Sequence, residues 1–313
     1  MNGFIKHFNQ ISKKDVDSVG GKGASLGEMT KAGFQVPEGF VVTAAAFEKY
    51  LKETDINVEI RARLNKINLK DIKSVEESSE IIRDLVMNKK MPKSMQQEIL
   101  KEFKKLKAKY VAVRSSATAE DSKLDSWAGE LETYLNTTEK NILKNVKKCW
   151  ASLYAPRALF YRIERKMQRK SVSVAVVVQK MIQSEVSGIC FTVHPITKDK
   201  NQMIIEAGYG LGEAIVGGMI TPDAYVIEKN SLTILDINIS EQKKMIKWAK
   251  NKNQNVTVSK EKQSKQKLKN SEIIKLSKIV RNIEKHYKSP QDIEWAYAKG
   301  KLYITQSRPI TTL

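Results

Sequence analysis

The chain has few of the residues that build cross-linked folds or histidine-based sites. Its 313 residues include only two cysteines and three histidines. Two cysteines do not make a disulfide framework, so Cys149 and Cys190 are interpreted as buried thiols in a reducing compartment. The histidines and cysteines form no Cys/His zinc spacing and no Ser-His-Asp or Cys-His catalytic set.

Long apolar runs are also missing. The longest, residues 174–178, is far shorter than the roughly 20 residues needed to span a membrane. The N-terminal residues lack the apolar core of a signal peptide. The chain is nevertheless 41% hydrophobic, which is enough for a packed interior. We therefore expect a cytoplasmic protein with no membrane partner, large enough for two subdomains.

Acidic residues are outnumbered by basic ones. There are 55 Lys and Arg against 35 Asp and Glu, which gives a net charge of +20. Residues 241–270 alone hold ten lysines, two glutamates and one aromatic residue, Trp248. Proteins that bind single-stranded nucleic acids place aromatic residues beside their positive charge. We therefore expect no specific nucleic-acid partner, and weak salt-sensitive association stays open as an alternative.

Helical and strand patterns mix along the chain without an internal repeat. Helices are predicted over residues 24–32, 44–51 and 271–286. Strands are predicted over residues 40–42, 110–113, 172–181, 186–193, 203–207 and 224–228. This arrangement is typical of an α+β or α/β enzyme.

Residues 291–309 predict a β-hairpin that carries polar groups on one face. Apolar and polar residues alternate on both sides of a turn at residues 299–301. Glu294 and Gln306 would face each other, and Arg308 would lie on the same side because side chains alternate along a strand. A carboxylate, an amide oxygen and a guanidinium suit a divalent metal and its phosphates. A solvated hairpin face with an incidental ion pair is the alternative.

A glycine-rich segment places Lys22 at the entry to a helix. Helix N-termini bind anions, and a lysine there adds a positive charge. The segment is not a Walker A loop, because that pattern needs glycine where Val16 stands and Ser or Thr where Gly23 stands. A turn followed by a helix cap is the alternative interpretation.

Two further segments could contact phosphate. Arg114 directly follows a predicted strand, from which a guanidinium can bind phosphate oxygens in a bidentate manner. Gly129 allows close backbone approach, and the Thr133 hydroxyl could donate to phosphate. The alternative is an ordinary surface loop.

A hydrophobic strand ends in Gln179, Lys180, Met181 and Ile182. Backbone groups at such a point can bind the edge of an adenine while Met181 and Ile182 pack on its face. The alternative is a core strand that runs into a loop.

Taken in order, these segments resemble the N-terminal nucleotide-binding domain of the phosphoenolpyruvate synthase and pyruvate phosphate dikinase family, which rifampicin phosphotransferases share. The resemblance covers nearly the whole chain and fits least well over residues 241–270. The matching segments are GGKGASLGE (20–28), VPEGF (36–40), AVRSSATAED (112–121), AGELET (128–133), SGICFT (187–192), GLGE (210–213), TPD (221–223), DIEW (292–295) and QSRP (306–309).

The resemblance implies an α+β, two-lobed ATP-grasp-like fold with mixed or antiparallel sheets. Residues 1–182 would form the N-terminal subdomain and residues 183–313 the C-terminal one. In the family pattern, Lys22 and Arg114 would hold phosphates, and Gly129 and Thr133 would belong to the loop that covers them.

The remaining roles implied by the resemblance concern the adenine, the metal and the reacting phosphate. Residues 179–182 would frame the adenine of ATP. Glu294 and Gln306 would bind Mg²⁺, and Arg308 would bind the phosphate close to the transferring group. Lys22, Arg114 and Arg308 would thus be the catalytic residues.

The family reaction cleaves ATP to AMP and passes the β-phosphate to a histidine on a swivelling domain. None of the three histidines here lies in a loop suited to carrying phosphate, so that domain would act in cis or in trans. The final acceptor stays open between pyruvate, an antibiotic and another compound. A nucleotide-binding module without turnover is the alternative from a different functional class.

Overall fold

The computed structural model describes residues 3–118, 132–164, 173–249 and 252–311. The chain forms two compact units. The first consists of Met1–Lys31 and Glu38–Met181, and the second of Ala32–Pro37 and Ile182–Leu313. Every strand pairing in the described residues is antiparallel. The predicted α+β class with antiparallel sheets is confirmed.

The first unit is built on a five-stranded sheet with the order β1-β2-β5-β3-β4. Its strands are β1 (Ile5–His7), β2 (Gly39–Val42), β3 (Val111–Ala117), β4 (Thr133–Thr137) and β5 (Val174–Lys180). Its described α-helices are α1 (Val16–Lys31), α2 (Ala44–Glu53), α3 (Ile56–Asn65), α4 (Ile72–Asn88), α5 (Lys93–Lys105), α6 (Ile142–Ser152) and α7 (Pro156–Glu164).

One face of this sheet belongs to the hydrophobic core. Val113 and Val176 lie in a buried cluster with residues of α2, α4, α5 and α6. Trp150 stacks on Phe47 and Tyr50 at centroid distances of 5.4 and 5.0 Å. Because side chains alternate along a strand, Arg114 and its same-face neighbours point away from this core.

Helix α1 covers part of the other face and is interrupted at Gly20. Gly20 has φ +70° and ψ 170°, so the helix stops and restarts there. Its backbone lies so close to β3 that a Cβ would be 2.4 Å from the carbonyl oxygen of Ser116. Both the positive φ and this contact require glycine. The predicted helix over residues 24–32 is therefore the second part of a longer element.

The second unit is built on a six-stranded sheet with the order β13-β12-β6-β7-β8-β9, beside the separate pair β10-β11. The strands are β6 (Val186–Phe191), β7 (Gln202–Tyr209), β8 (Asp223–Glu228), β9 (Ile234–Asn238), β10 (Lys244–Ala249), β11 (Lys252–Thr257), β12 (Gln291–Ala298) and β13 (Lys301–Pro309). The helices described in this unit are α8 (Glu213–Val216), α9 (Lys260–Gln263) and α10 (Asn270–Tyr287).

Helix α10 packs against the sheet of the second unit through one apolar stripe. Ile273, Leu276, Val280 and Ile283 are fully buried and recur at the helical spacing of three or four residues. The helix contacts β12 and β7. The two cysteines are buried and not disulfide-bonded, Cys149 in the first unit and Cys190 in the second.

The lysine-rich residues 241–270 include one partner of a buried ion pair. Lys267 Nζ lies 2.8 Å from Asp223 Oδ1, and both side chains are 0% exposed. Asp223 Oδ1 also accepts the Ser240 amide, and Asp223 Oδ2 accepts the Lys267 amide and the Tyr225 hydroxyl. The Asp223 carboxylate therefore binds Ser240 and Lys267, which lie on either side of the segment that carries β10 and β11.

Within the described ranges, no helix is both long enough and apolar enough to cross a membrane.

Candidate functional site

Three of the predicted phosphate and adenine ligands share one face of the five-stranded sheet. Arg114 is paired with Thr133 on β4 and with Val177 on β5, and Ala112 is paired with Gln179. Residues paired across strands point to the same side, and diagonal neighbours lie about 7–8 Å apart. The fold therefore gathers a guanidinium, a hydroxyl and an amide on the face away from the hydrophobic core.

The side chain of Gln179 has an unsatisfied hydrogen-bond donor. It is only 3% exposed, and its Nε2 has no hydrogen-bond partner. Leaving a buried polar group unpaired costs roughly 1–3 kcal/mol. A ligand acceptor placed against this face would satisfy the amide, and Arg114, itself buried, lies diagonally across the same surface.

Lys22 is positioned by the contact between α1 and β3. The Ser116 hydroxyl accepts the Gly23 amide at 3.2 Å and donates to the Val19 carbonyl at 2.9 Å, bridging the break in the helix. Lys22 thus lies in the first turn after the break. Such a turn has amides that lack helical partners, a favourable environment for an anion.

Lys22 and Glu132 both lie within electrostatic reach of the Cys149 thiol on α6. Burial raises the pKa of the Cys149 thiol well above its usual range, the Glu132 carboxylate adds to this rise, and Lys22 opposes it. Glu132 directly precedes Thr133 in the sequence. Lys22 and the residue that precedes Thr133 therefore both influence the same buried thiol.

The end of β5 is fixed by backbone and side-chain contacts. The Lys180 amide donates to the Glu38 carbonyl, and the Met181 amide donates to the Tyr110 carbonyl. Lys180 Nζ pairs with the Glu38 carboxylate. These two amides are thus engaged within the fold and do not serve as donors to a base bound at this point. Ile182 belongs to the second compact unit.

In the second unit, the predicted hairpin is present and pairs Glu294 with Gln306. The register shifts directly after Glu294, where Trp295 is paired with Ile304 and Thr305 is left over. Bulges of this kind re-aim side chains and are frequent beside active sites. A half-buried carboxylate and a buried amide oxygen side by side match the oxygen ligands that Mg²⁺ prefers.

Arg308 is held in place by Asp292 on the neighbouring strand. Its Nη2 and Nε lie 2.7 and 2.8 Å from Asp292 Oδ2. Burial raises the pKa of the Asp292 carboxyl, and the charge of Arg308 works against that rise. Arg308 is therefore aimed along the same face as Glu294 by a carboxylate that sequence reasoning did not single out.

Comparison with known proteins identifies the family of the chain. The family described as pyruvate phosphate dikinase, AMP/ATP-binding domain, matches residues 16–313 of the chain. The chain belongs to this pyruvate phosphate dikinase family. The resemblance inferred from the sequence motifs is thereby confirmed.

Relatives in this family are similar over nearly the whole chain. A probable phosphoenolpyruvate synthase of Methanocaldococcus jannaschii is 44% identical over 99% of this chain and 27% of its own length. A probable phosphoenolpyruvate synthase of Archaeoglobus fulgidus is 45% identical over 97% of this chain and 41% of its own length. The rifampicin phosphotransferase of Bacillus subtilis is 37% identical over 100% of this chain and 36% of its own length.

The chain thus spans between 27% and 41% of the length of these three relatives. The match establishes an AMP/ATP-binding domain of the pyruvate phosphate dikinase family.

The structure accounts for most of the predicted site residues in two groups. Arg114, Thr133 and Gln179 share one sheet face, and α1, which carries Lys22, packs against that sheet. Glu294, Gln306 and Arg308 share a face in the second unit. Gly129 lies outside the described residues. Two further carboxylates on that face, Asp292 and Glu206, were not singled out from the sequence. Asp292 alternates with Glu294 along β12, whereas only strand register brings Glu206 to the same face.

Proposed function

We propose that this chain binds ATP with magnesium and is the nucleotide-binding part of a phosphotransferase of the phosphoenolpyruvate synthase type. The observation that carries the proposal is the family match over residues 16–313. The sheet faces carry side chains of the types that suit phosphate and metal ions. In the proposed reaction, ATP is cleaved to AMP and its β-phosphate passes to a histidine on a swivelling domain in cis or in trans.

In this proposal, most of the residues that hold the nucleotide belong to the first unit. Lys22 and Arg114 bind phosphate oxygens through their positively charged side chains. The Thr133 hydroxyl donates beside Arg114, and Gly129 belongs to the covering loop. The buried amide of Gln179, with residues 180–182, binds the adenine.

Residues of the second unit hold the metal and the reacting phosphate. Glu294 and Gln306 provide the carboxylate and amide oxygens, a donor set that fits Mg²⁺. When bound, the metal supplies charge neutralisation at the phosphoryl oxygens. Arg308, oriented by Asp292, adds a positive charge near the phosphate that is transferred.

The final acceptor is not decided by this domain. Relatives named phosphoenolpyruvate synthase and a relative named rifampicin phosphotransferase match it over nearly the same residues. Pyruvate is the proposed acceptor because the two most identical of the relatives reported above carry the synthase name.

Mg-ATP should stabilise the native chain. A ligand that binds only the native state at about 100 times its Kd adds about 2.7 kcal/mol to the free energy of unfolding. We expect the melting temperature, followed by differential scanning fluorimetry, to rise by roughly 5 °C. GTP with magnesium should give a smaller rise, and an unchanged melting temperature at saturating Mg-ATP would contradict the proposal.

Removal of the phosphate-binding arginines should weaken ATP binding without unfolding the chain. Hydrogen bonds from a charged group contribute roughly 1.5–3 kcal/mol, so Arg114→Ala and Arg308→Ala should each raise the Kd for Mg-ATP about 10- to 100-fold. Isothermal titration calorimetry measures this Kd. Arg61→Ala, which removes an exposed guanidinium from α3, is the control. Equal affinities in all three variants would show that the nucleotide binds elsewhere.

A further inference from the structure

Glu206 on β7 occupies the same row of the six-stranded sheet as the proposed metal ligands. Gln306 is paired with Glu294, Glu294 with Ile189, and Ile189 with Glu206. Paired residues point to the same side of a sheet. Neighbouring strands lie about 4.8 Å apart, so the Cα atoms of Glu294 and Glu206 are separated by roughly 10 Å, with Ile189 between them.

The position of Glu206 depends on a glycine in the strand between. A Cβ at Gly188 of β6 would lie 1.8 Å from the backbone oxygen of Glu206 and 2.8 Å from Trp295 Cζ2. No other residue fits there without displacing β7 or β12. Strands β6, β7 and β12 are therefore closely packed at the point where Glu206 and Glu294 lie on one face of the sheet.

The Glu206 carboxylate is half-buried, and the described part of the chain gives it no hydrogen bond and no ion pair. Asp292, one row further along the same face, is paired with Arg308 at 2.7 Å. Partial burial disfavours a lone carboxylate charge unless a cation or a donor accompanies it. Glu206 therefore has the properties of a side chain whose partner arrives with a ligand.

We propose that Glu206 accepts hydrogen bonds from water molecules bound to a magnesium ion held by Glu294 and Gln306. The inference rests on the proposed function, since the ion would accompany ATP. Mg²⁺ bound by one or two protein ligands and by phosphates keeps several of its waters. Across the residues the structure describes, no three Asp, Glu, His or Cys side chains are placed to hold a metal directly. A water-mediated contact bridges the separation, and Glu206 is thus a positioning residue.

The test is a magnesium titration at fixed, saturating ATP, with the melting temperature of the chain as the readout. Glu206→Gln keeps the size of the side chain and removes its charge. Loss of an outer-shell partner typically costs 10- to 100-fold in metal affinity, so the Mg²⁺ concentration at half-effect should rise about 10-fold. Asp236→Asn, an exposed carboxylate change on edge strand β9 of the same sheet, should leave that concentration unchanged.

A second measurement separates metal positioning from a structural role. The Kd for ATP in EDTA, measured by equilibrium dialysis, should be the same for Glu206→Gln and the unchanged protein. The inference would be overturned if the half-effect Mg²⁺ concentration were the same for Glu206→Gln and the unchanged protein. It would also be overturned if, in EDTA, the Kd of Glu206→Gln for ATP rose by the same factor as its half-effect Mg²⁺ concentration. If the unchanged protein shows no response to Mg-ATP, the proposed function fails together with this inference. If the unchanged protein responds to Mg-ATP and Glu206→Gln responds at the same Mg²⁺ concentration, only this inference fails and the proposed function stands.

Discussion

Lys267→Met should lower the free energy of unfolding by about 3–5 kcal/mol, because it leaves the Asp223 carboxylate buried without a counter-ion. Asp223→Ala should lower the free energy of unfolding by a similar amount, because it leaves the Lys267 ammonium buried without a counter-ion. It also removes the acceptor of two backbone amides and the Tyr225 hydroxyl. Both side chains are 0% exposed, so water cannot replace the lost partner. Urea denaturation followed by circular dichroism measures the change.

The double variant Asp223→Ala/Lys267→Met distinguishes a paired charge from general packing. It should be less destabilised than the sum of the two single variants, by roughly 1–3 kcal/mol, because neither charge is left alone. Lys243→Met is the matched control. Its ion pair with Glu241 is 69% and 51% exposed, and exposed pairs contribute about 0–1 kcal/mol. Equal losses for Lys267→Met and Lys243→Met would show that the buried pair contributes little.

Glu294→Gln should reduce phosphoryl transfer by about 100-fold or more, because it removes the charged oxygen ligand from the proposed metal site. A loss of several kcal/mol in charge stabilisation corresponds to at least two powers of ten in rate. The assay supplies ATP labelled in the β-phosphate together with a histidine-bearing domain from a family member. Label should appear on that domain, and AMP should form only when the domain is present.

Glu261→Gln, an exposed carboxylate change on α9, should transfer label at the normal rate. Formation of ADP with transfer of the γ-phosphate alone would contradict the proposed reaction. Stable labelling of His7, His194 or His286 in the isolated chain would also contradict it, because the proposed acceptor is a histidine of the swivelling domain.

Patterns that repeat along a single element could be predicted from the sequence. Alternation over residues 291–309 gave the hairpin and placed Glu294 opposite Gln306, and the apolar spacing gave α10 to within one residue at each end. The bulge at Thr305 was not predicted, because an extra residue in one strand is visible only when the partner strand is aligned with it.

Features that depend on register between distant segments were missed. Glu206 reaches the row of Glu294 through β6, and no spacing within β7 indicates this. The pair β10-β11 was not predicted, because no helix or strand was assigned within the lysine-rich residues 241–270. The unsatisfied donor of Gln179 was not predictable, because the sequence does not show whether a glutamine side chain is buried or exposed.

The single buried thiol in each compact unit provides an internal probe of local unfolding. Cys149 and Cys190 are both 0% exposed, and burial raises the pKa of each. Only the thiolate reacts with an alkylating reagent, so modification must wait until the surrounding structure opens. Identification of the modified peptide by mass spectrometry would therefore give an opening rate for each unit separately. If bound nucleotide suppresses the opening of only one unit, it should slow the labelling of the cysteine in that unit and leave the labelling of the other cysteine unchanged.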